Sequence, residues 1–310
     1  MSEQVSLKHH YLPEFYTKRW IASRNGKLCE FSCPYPVNKV IKPKRVHPAE
    51  TGNERGLYEI KGVAHEQAQV VEDGFFKKLD TLASQALDRI EADDMLASNP
   101  PLRSAWSRFV LSLLLRAPND LKWFRDDYLG RLLAEADQLD PKWLTLRGPE
   151  DPMTVREVLN ESDPDIAQRR ATLLLRELID HSHICGGMNN MRWFVIDIPE
   201  EAPELLTSDR PVITPAKSFL SPKGQILMPI GPRRLFVATV DVALGKAIWA
   251  TDRAELAEAV NQQVVGQAER YAYGSDDSSL AFVRDFMFAA PQPSLFQVLA
   301  HMRARRPSGA

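Results

Sequence analysis

Two adjacent histidines near the start of the chain, His9 and His10, are the residues best suited to chemistry. Imidazole titrates near neutral pH and binds metals, so either histidine could serve as an acid, a base or a metal ligand. On an extended segment the two side chains point in opposite directions, and only one faces a given pocket. The pair could equally anchor the N-terminus through hydrogen bonds to the backbone, and the sequence leaves both interpretations open.

A second candidate group lies about 200 residues further along, in the run Thr207-Ser208-Asp209-Arg210-Pro211. The run follows a predicted sheet region, where a polar turn would present Ser208 and Asp209 to a cleft. The same residues also fit an ordinary turn in which Asp209 binds the local backbone ahead of a proline. The pattern favours neither role.

Three other polar positions have a functional and a structural interpretation. Arg116 ends an apolar helix, where it would clamp an anion or, as we favour, satisfy the last carbonyls of that helix. Asn261 lies on a predicted helix and would reach a site or, as we favour, make a buried or edge hydrogen bond. Glu72 and Asp73 are neighbours on a predicted helix and point about 100° apart, so at most one faces a shared site. We expect both carboxylates to be exposed.

The three cysteines give little support for a zinc site. Cys29 and Cys33 are separated by three residues, and Cys185 follows two nearby histidines, but no second Cys-x-x-Cys pair exists. A sparse, odd number of cysteines is typical of a reducing compartment, so we expect a cytoplasmic protein whose cysteines act as small core residues.

Composition predicts an ordinary globular protein. The chain has 310 residues, 44% of them hydrophobic and 26% charged, with a net charge of −2. No stretch approaches the roughly 18 apolar residues that a membrane span requires, and the start has no apolar core of the signal-peptide type. Residues 1–62 contain eleven lysines and arginines and six acidic residues. This basic segment would attract phosphate, or it simply solvates a loop-rich region.

Common catalytic signatures are missing from the sequence. It contains no phosphate-binding loop, no dinucleotide glycine fingerprint, no His-Glu-x-x-His and no Gly-x-Ser-x-Gly. Their absence argues against kinases, Rossmann dehydrogenases, common zinc proteases and α/β-hydrolases.

Hydrophobic periodicity predicts the elements that must position these residues. Helical spacing covers residues 64–92, 100–116, 119–138, 153–161, 164–184 and 252–273. Strand patterns cover residues 26–31, 37–41, 57–60, 191–198, 211–214, 227–230 and 234–239. Prolines between positions 34 and 48 predict an irregular connection that continues to residue 52.

These elements predict an α+β fold, mostly helical, with a small mixed or antiparallel sheet and no βαβ alternation. We expect one domain over residues 1–302, followed by a flexible tail at 303–310. Its parts are a basic β-rich segment (1–62), a helical middle (63–184) and a short sheet with a long helix (185–273).

The run from Lys8 to Trp20, which includes Lys-His-His-Tyr-Leu-Pro-Glu-Phe-Tyr, resembles the opening of the domain of unknown function 4238 family. Residues 207–212 and 228–232 are similar to its Thr-Ser-Asp-Asn-Pro-Val element and to the strand that follows. Departures are Glu14 for glutamine, Trp20 for phenylalanine and Arg210 for asparagine. The resemblance implies a bacterial protein with a shared polar site in which His10 and Asp209 meet, and it implies no particular reaction.

The leading functional hypothesis is a hydrolase in which His9 or His10 works with Asp209, assisted by Ser208, Arg116 and Asn261. Nuclease-like phosphodiester cleavage is its most concrete form, because the basic segment surrounds the histidines. The carboxylate would orient the imidazole or hold a divalent metal.

Two other hypotheses stay open. One is a module that binds nucleic acid or a phosphorylated ligand through N-terminal aromatic and basic residues, namely Tyr11, Tyr16, Lys18, Arg19 and Trp20. The other is a protein-interaction component in which the histidines only tie the N-terminus to the sheet. Cofactor and oligomeric state stay open; a membrane partner is not expected.

Overall fold

The strands are short and form three antiparallel sheets. The computed structural model describes residues 8–22, 25–34, 40–63, 68, 70–163, 165–214 and 219–304. The strands are β1 (Lys8–His10), β2 (Leu28–Ser32), β3 (Lys42–Val46), β4 (Asn53–Arg55), β5 (Arg192–Asp197), β6 (Thr207–Ser208), β7 (Gln225–Gly231), β8 (Arg234–Thr239) and β9 (Tyr271–Gly274). Their orders are β1-β4, β3-β2-β9-β6 and β5-β8-β7. The second sheet thus joins strands from both ends of the described chain.

Helices make up the middle of the protein and cover the sheets. They are α1 (Glu14–Thr17), α2 (Lys77–Glu91), α3 (Pro100–Leu113), α4 (Pro118–Trp143), α5 (Val155–Ser162), α6 (Ile166–Ile179), α7 (Ser182–Asn189), α8 (Val242–Ala250), α9 (Arg253–Gly266), α10 (Leu280–Phe286) and α11 (Leu295–Ala304). A π-helical turn, Glu72–Phe76, precedes α2 and contains Gly74. The α+β class is therefore confirmed.

Local signals explain where several helices begin. Proline fits the first helical position because its missing N–H needs no partner there. Helix α3 begins at Pro100, and the Asn99 side chain accepts a hydrogen bond from the Leu102 N–H at 3.2 Å. Asp252 caps α9 in the same way, through the N–H groups of Ala254 and Glu255. These starts were predicted within a residue or two.

Two predictions in the N-terminal segment were wrong. The partner of β2 is β3, within the stretch predicted to be irregular, and Pro43 is tolerated there because β3 is an edge strand. The strand predicted at 37–41 lies largely outside the described residues. The predicted strand at 57–60 is a turn and loop, and the strand that pairs with β1 is β4.

Two predicted long helices are also shorter than expected. The segment 164–184 breaks near Asp180, whose carboxylate pairs with Arg108 on α3 at 2.6 Å, and α7 begins afresh at Ser182. The helix predicted over 252–273 ends at Gly266, which packs closely against Ala290. Residues 271–274 form β9 instead, because pairing with β2 and β6 overrides the apparent helical spacing. At the C-terminus, α11 extends into the predicted tail as far as Ala304, and residues 305–310 lie outside the described part.

The largest apolar core includes residues from Tyr11 to Phe296, so the N-terminal segment, the helical middle and the sheets all contribute to it. One smaller apolar cluster lies between helix α9 and the sheet β5-β8-β7. Another lies against one face of β2. A shared core of this kind supports one domain, which stays a prediction.

Residues 8–20, which we call the N-terminal block, are tied to distant sheet segments by hydrogen bonds from two buried aromatic side chains. The Tyr16 hydroxyl lies 2.7 Å from both Thr207 Oγ1 and the Pro229 carbonyl oxygen. The Trp20 indole N–H donates to the Leu205 carbonyl at 2.8 Å. Both rings are fully buried. The aromatic residues of the opening motif are therefore anchors in the core.

The Tyr16 anchor can be tested with Tyr16→Phe. Removing the hydroxyl leaves the Pro229 carbonyl and the Thr207 hydroxyl short of a buried partner, so we expect a loss of about 1–3 kcal/mol in the free energy of unfolding. Urea denaturation measures this. Tyr128→Phe is the matched control, because its hydroxyl makes no hydrogen bond among the described residues, and we expect a change within about 0.5 kcal/mol. Equal effects of the two substitutions would contradict the anchor.

Candidate functional site

His9 has a structural environment. Its side chain is fully buried, and Nδ1 accepts a hydrogen bond from the Tyr58 backbone N–H at 2.9 Å. The two rings lie nearly parallel, with centroids 5.6 Å apart. His9 thereby fixes β1 to the turn that follows β4, as the anchoring interpretation predicts.

His10 points to the other side of β1, as the extended geometry requires. Its Nε2 is buried without a hydrogen-bond partner and lies 3.6 Å from Glu14 Oε1. Burial lowers the pKa of His10, an effect that the Glu14 charge opposes and the charges of Lys8 and Arg116 reinforce. The imidazole is therefore mainly neutral near pH 7 and can accept a proton at Nε2 or donate one there, according to its tautomer.

Arg116 is fully buried, and among the described residues its guanidinium makes no hydrogen bond to the helix carbonyls that it was predicted to cap. Nη1 donates to Asp80 Oδ1 on α2 at 3.1 Å. The rings of Phe76 and Phe109 flank the guanidinium, each with its centroid 5.5 Å away. Nε and Nη2 have no hydrogen-bond partner among the described residues. The capping prediction is therefore wrong, and two nitrogen atoms of a buried cation, Nε and Nη2, are left to bind something else.

Glu72 is also buried, contrary to the expected exposure, because the π-helical turn directs it inward. Its exposed fraction is 9%, and Oε2 has no hydrogen-bond partner. Burial, with the nearby Asp80 charge, raises the pKa of Glu72 to about 7, although Arg116 opposes the shift. Asp73 points outward and pairs with Lys77 at 2.5 Å. Only one of the two neighbouring carboxylates therefore faces the interior.

Tyr58 and Asp80 complete the group. The Tyr58 hydroxyl is within 3.5 Å of the carbonyl oxygens of both His10 and Arg116, and its ring stacks on Phe76 at 4.2 Å. Burial raises the pKa of Asp80, and the ion pair with Arg116 opposes this shift. We call His10, Tyr58, Glu72, Asp80 and Arg116 the Arg116 cluster.

Asp209 acts mainly on the backbone. Its Oδ1 accepts from the Glu269 N–H at 2.9 Å, and its Oδ2 accepts from the N–H groups of Arg270 and Tyr271 at 2.6 and 3.2 Å. Burial raises the pKa of Asp209 to about 6 against the effect of these hydrogen bonds. Ser208 Oγ accepts from the Arg210 N–H at 3.1 Å. Asp209 therefore holds the chain that leads into β9, and Ser208 holds the chain that leaves β6.

Asn261 binds backbone on both sides of its amide. Oδ1 accepts from the Leu206 N–H at 2.7 Å, and Nδ2 donates to the Glu204 carbonyl at 2.8 Å. This is the buried hydrogen-bonding role that the sequence favoured.

Tyr11 is the nearest link between the two sequence motifs. Its hydroxyl is buried without a hydrogen-bond partner, and its pKa is raised by burial and, next, by the charge of Asp209. Among the described residues, no hydrogen bond or ion pair joins His10 to Asp209 directly. A pocket that contains both stays a prediction; the contacts that are present place His10 with Arg116 and Asp209 with the 269–271 turn.

The N-terminal aromatic and basic residues do not form an exposed recognition face. Tyr11, Tyr16 and Trp20 are buried, and Arg19 pairs with Asp88 and Glu91 at 2.6 and 2.7 Å. The burial of the three rings argues against the part of the binding-module hypothesis that relies on them, whereas Lys18 is exposed.

The cysteines show no sign of metal binding. Within the described ranges, no group of three or more His, Cys, Asp or Glu residues is arranged to hold a metal ion. All three thiols are free, Cys29 and Cys185 are buried, and burial raises the pKa of Cys29 to about 11. Nor does any helix in the described part have the length and apolar character to cross a membrane.

The fold and the buried polar cluster define an α+β protein whose N-terminal block lies inside its core. The model of the family described as Protein of unknown function (DUF4238) matches residues 8–278. The chain therefore belongs to this family, which confirms the resemblance seen in the sequence. No curated protein matches the chain, and no solved structure does so either.

Glu72 should make stability depend on pH. Its folded-state pKa of about 7 lies above the ordinary value of 4.5, so its contribution is complete below that ordinary value and is lost as pH rises through 7. Between about pH 5 and pH 8, ionisation of Glu72 should lower the free energy of unfolding by the order of 2–3 kcal/mol. We expect this decrease to be absent in Glu72→Gln. Urea denaturation across this range measures the effect.

Asp73→Asn is the control, because its carboxylate is exposed and pairs with Lys77, and this variant should keep the loss of stability that Glu72 causes. Asp120, with a pKa raised to about 7 mainly by burial, and Asp209, with a pKa raised to about 6, contribute to the pH dependence of stability that remains in Glu72→Gln. An identical pH dependence in Glu72→Gln and the unsubstituted protein would contradict the assignment.

Proposed function

We propose that the protein is a hydrolase that cleaves a small phosphate ester at the Arg116 cluster. One observation carries the proposal: His10, Glu72 and Arg116 are a base, an acid and a cation, and each has a buried polar atom without a hydrogen-bond partner. Arg116 is close enough for its charge to act on the pKa values of both His10 and Glu72. Perturbed ionisable groups of complementary chemistry are typical of active sites.

Arg116 would bind the anionic group of the substrate. A buried cation is costly unless it is paired and hydrogen-bonded, and Asp80 satisfies only Nη1. The free Nε and Nη2 belong to the planar fork that binds two oxygens of a phosphate. Asp80 and the rings of Phe76 and Phe109 hold the fork in place. The guanidinium would also stabilise charge on the phosphoryl oxygens as the bond breaks.

His10 and Glu72 would divide the proton transfers. The lowered pKa of His10 keeps its imidazole neutral, so Nε2 can take a proton from the attacking water. The raised pKa of Glu72 keeps much of its carboxyl protonated near pH 7, so it can give a proton to the leaving oxygen. The P–O bond to the alcohol breaks as the bond to water oxygen forms. Solvent then returns the proton from His10 to Glu72.

The depth of the cluster favours a small substrate over an internal phosphodiester of a nucleic acid. Arg116 and Tyr58 are fully buried, whereas the side chains of His10 and Asp80 stay 19% and 21% exposed. A terminal phosphate can enter such a site more easily than a continuous strand. Asp209, the carboxylate first expected to assist, uses both oxygens on the 269–271 turn, so Glu72 takes its place here. Free thiols are in keeping with a cytoplasmic setting.

Hydrolysis of p-nitrophenyl phosphate and bis(p-nitrophenyl) phosphate tests the proposal. We expect kcat/KM to fall at least about 100-fold in His10→Asn, Glu72→Gln and Arg116→Lys, because the first two remove a proton-transfer group and the third removes the planar fork that binds two phosphate oxygens. His183→Asn and Asp73→Asn change exposed residues and should keep full activity. Melting temperatures identify any variant that merely unfolds.

The pH profile separates the two proton-transfer roles. The rate should rise with pH as His10 loses its proton below its ordinary value of 6.5 and fall above about 7 as Glu72 ionises. Glu72→Gln should lose the high-pH limb while keeping the low-pH limb. Absence of hydrolysis in the unsubstituted protein, or activity that survives all three substitutions, would reject the proposal.

A further inference from the structure

A small cavity lies between the C-terminal end of α3 and the N-terminal ends of α4 and α11. Its volume is about 70 Å³. One water needs about 10–15 Å³, and benzene occupies an engineered apolar cavity of about 150 Å³, so this cavity takes a ligand of a few heavy atoms. Most of its wall is apolar, namely Leu113, Leu114, Val212, Phe219, Leu295 and Val298. A small organic molecule would bury its hydrocarbon part here.

Two buried polar side chains of the wall each have an oxygen atom without a hydrogen-bond partner. Asp120 and Gln267 are both 5% exposed. Asp120 uses Oδ1 on the Arg210 guanidinium, and its Oδ2 accepts no hydrogen bond from the described residues. The Gln267 amide nitrogen donates to the Arg210 and Val212 carbonyl oxygens at 2.5 and 3.1 Å. This fixes the orientation of the amide and leaves Oε1 without a partner in the described part. The cavity therefore offers acceptors to a ligand that donates.

The charge beside the cavity is negative. Arg210 Nη2 pairs with Asp120 and also with Glu269 Oε1 at 2.8 Å, so one guanidinium serves two carboxylates. Burial raises the pKa of Asp120 to about 7, and the charges of Glu269 and Asp209 add to this shift. Among the described groups that act most strongly on this pKa, Arg210 is the one cation. A second cation beside Asp120 Oδ2 would stabilise the ionised carboxylate.

We propose that this cavity binds a small primary ammonium ion, with its nitrogen at Asp120 Oδ2 and Gln267 Oε1 and its alkyl group against the apolar wall. An ammonium has three N–H donors and no acceptor, which matches a wall of free acceptors. The hydroxyl of Thr214, a half-buried residue of the same wall, is available to the third N–H. An anion would meet two carboxylates, and a bare metal ion would gain nothing from the apolar wall. The site shares no residue with the Arg116 cluster and goes beyond the proposed hydrolysis.

Ethylammonium, ethanol and acetate test the proposal, because they are a cation, a neutral molecule and an anion of similar size. Saturation-transfer NMR titrations at pH 8, where Asp120 is mainly ionised, give the dissociation constants. We expect a value in the millimolar range for ethylammonium, which is the limit for so small a ligand. Ethanol and acetate should bind at least about tenfold more weakly. Nα-acetyl-lysine methylamide presents the same group on a lysine side chain, and tighter binding of this probe identifies a peptide lysine as the source of the ammonium.

Two variants should weaken binding by different routes. Asp120→Asn removes the charge at nearly constant size, so ethylammonium should bind at least about tenfold more weakly and lose its advantage over ethanol. Val298→Phe keeps the carboxylate but fills part of the cavity from α11, where Val298 is half-buried, and should weaken ethylammonium by a similar factor. Asp126→Asn and Leu299→Phe change exposed residues of the same two helices and should leave binding intact. Melting temperatures verify that each variant is folded.

A lysine of this chain is the main competitor for the site. Lys217 lies outside the described residues and carries the same ammonium group, and Lys217→Ala should leave the affinity for ethylammonium unchanged. An increase of about tenfold or more in this variant would mean that Lys217 takes the site, and would overturn the proposal. Ethanol binding as tightly as ethylammonium, equal competition by potassium chloride, or affinity that survives both Asp120→Asn and Val298→Phe would overturn it as well.

Discussion

The positive charge of Arg116, fully buried between two phenylalanine rings, is the constraint on which much of the structure depends. A guanidinium loses its hydration in such a place, and breaking its compensation would cost several kcal/mol. Helix α2 supplies Asp80 for one N–H group, and the π-helical turn brings Glu72 near. Strand β1 lies against the same region and brings His10. The elements that meet here are therefore held by charge compensation as well as by apolar packing.

Much of the fold could be predicted from local signals in the sequence. Prolines and capping side chains predicted where α3 and α9 begin, and the strand-like pattern of apolar residues predicted β8. Errors arose where a distant partner decided the outcome. Residues 271–274 carry apolar groups at spacing compatible with a helix, yet β2 and β6 recruit them as a strand. Pro43 argued against a strand, but its place on a sheet edge removes the objection.

The candidate site was predicted less well, because burial of polar residues has no periodic signature. His10 and Arg116 were found from their residue types. Glu72 was expected on the surface, although its spacing of four from Phe76 and of eight from Asp80 places all three along one helix face. The signal available for burial of Glu72 was therefore its position on the same helix face as apolar residues. The contacts of Asp209 with the 269–271 turn could not be read from sequence, because they join segments about sixty residues apart.

The buried N-terminal block also governs when the protein can finish folding. Tyr16 and Trp20 are synthesised well before residues 205, 207 and 229, to which they bond, and β2 pairs with a strand, β9, that is synthesised later still. At about 5–20 residues per second, the block spends roughly 10–50 s without these partners. Its aromatic side chains are exposed during that interval, and late closure of long loops slows the final step. The opening motif that organises the native core is thus the segment that a chaperone would have to shield longest during synthesis.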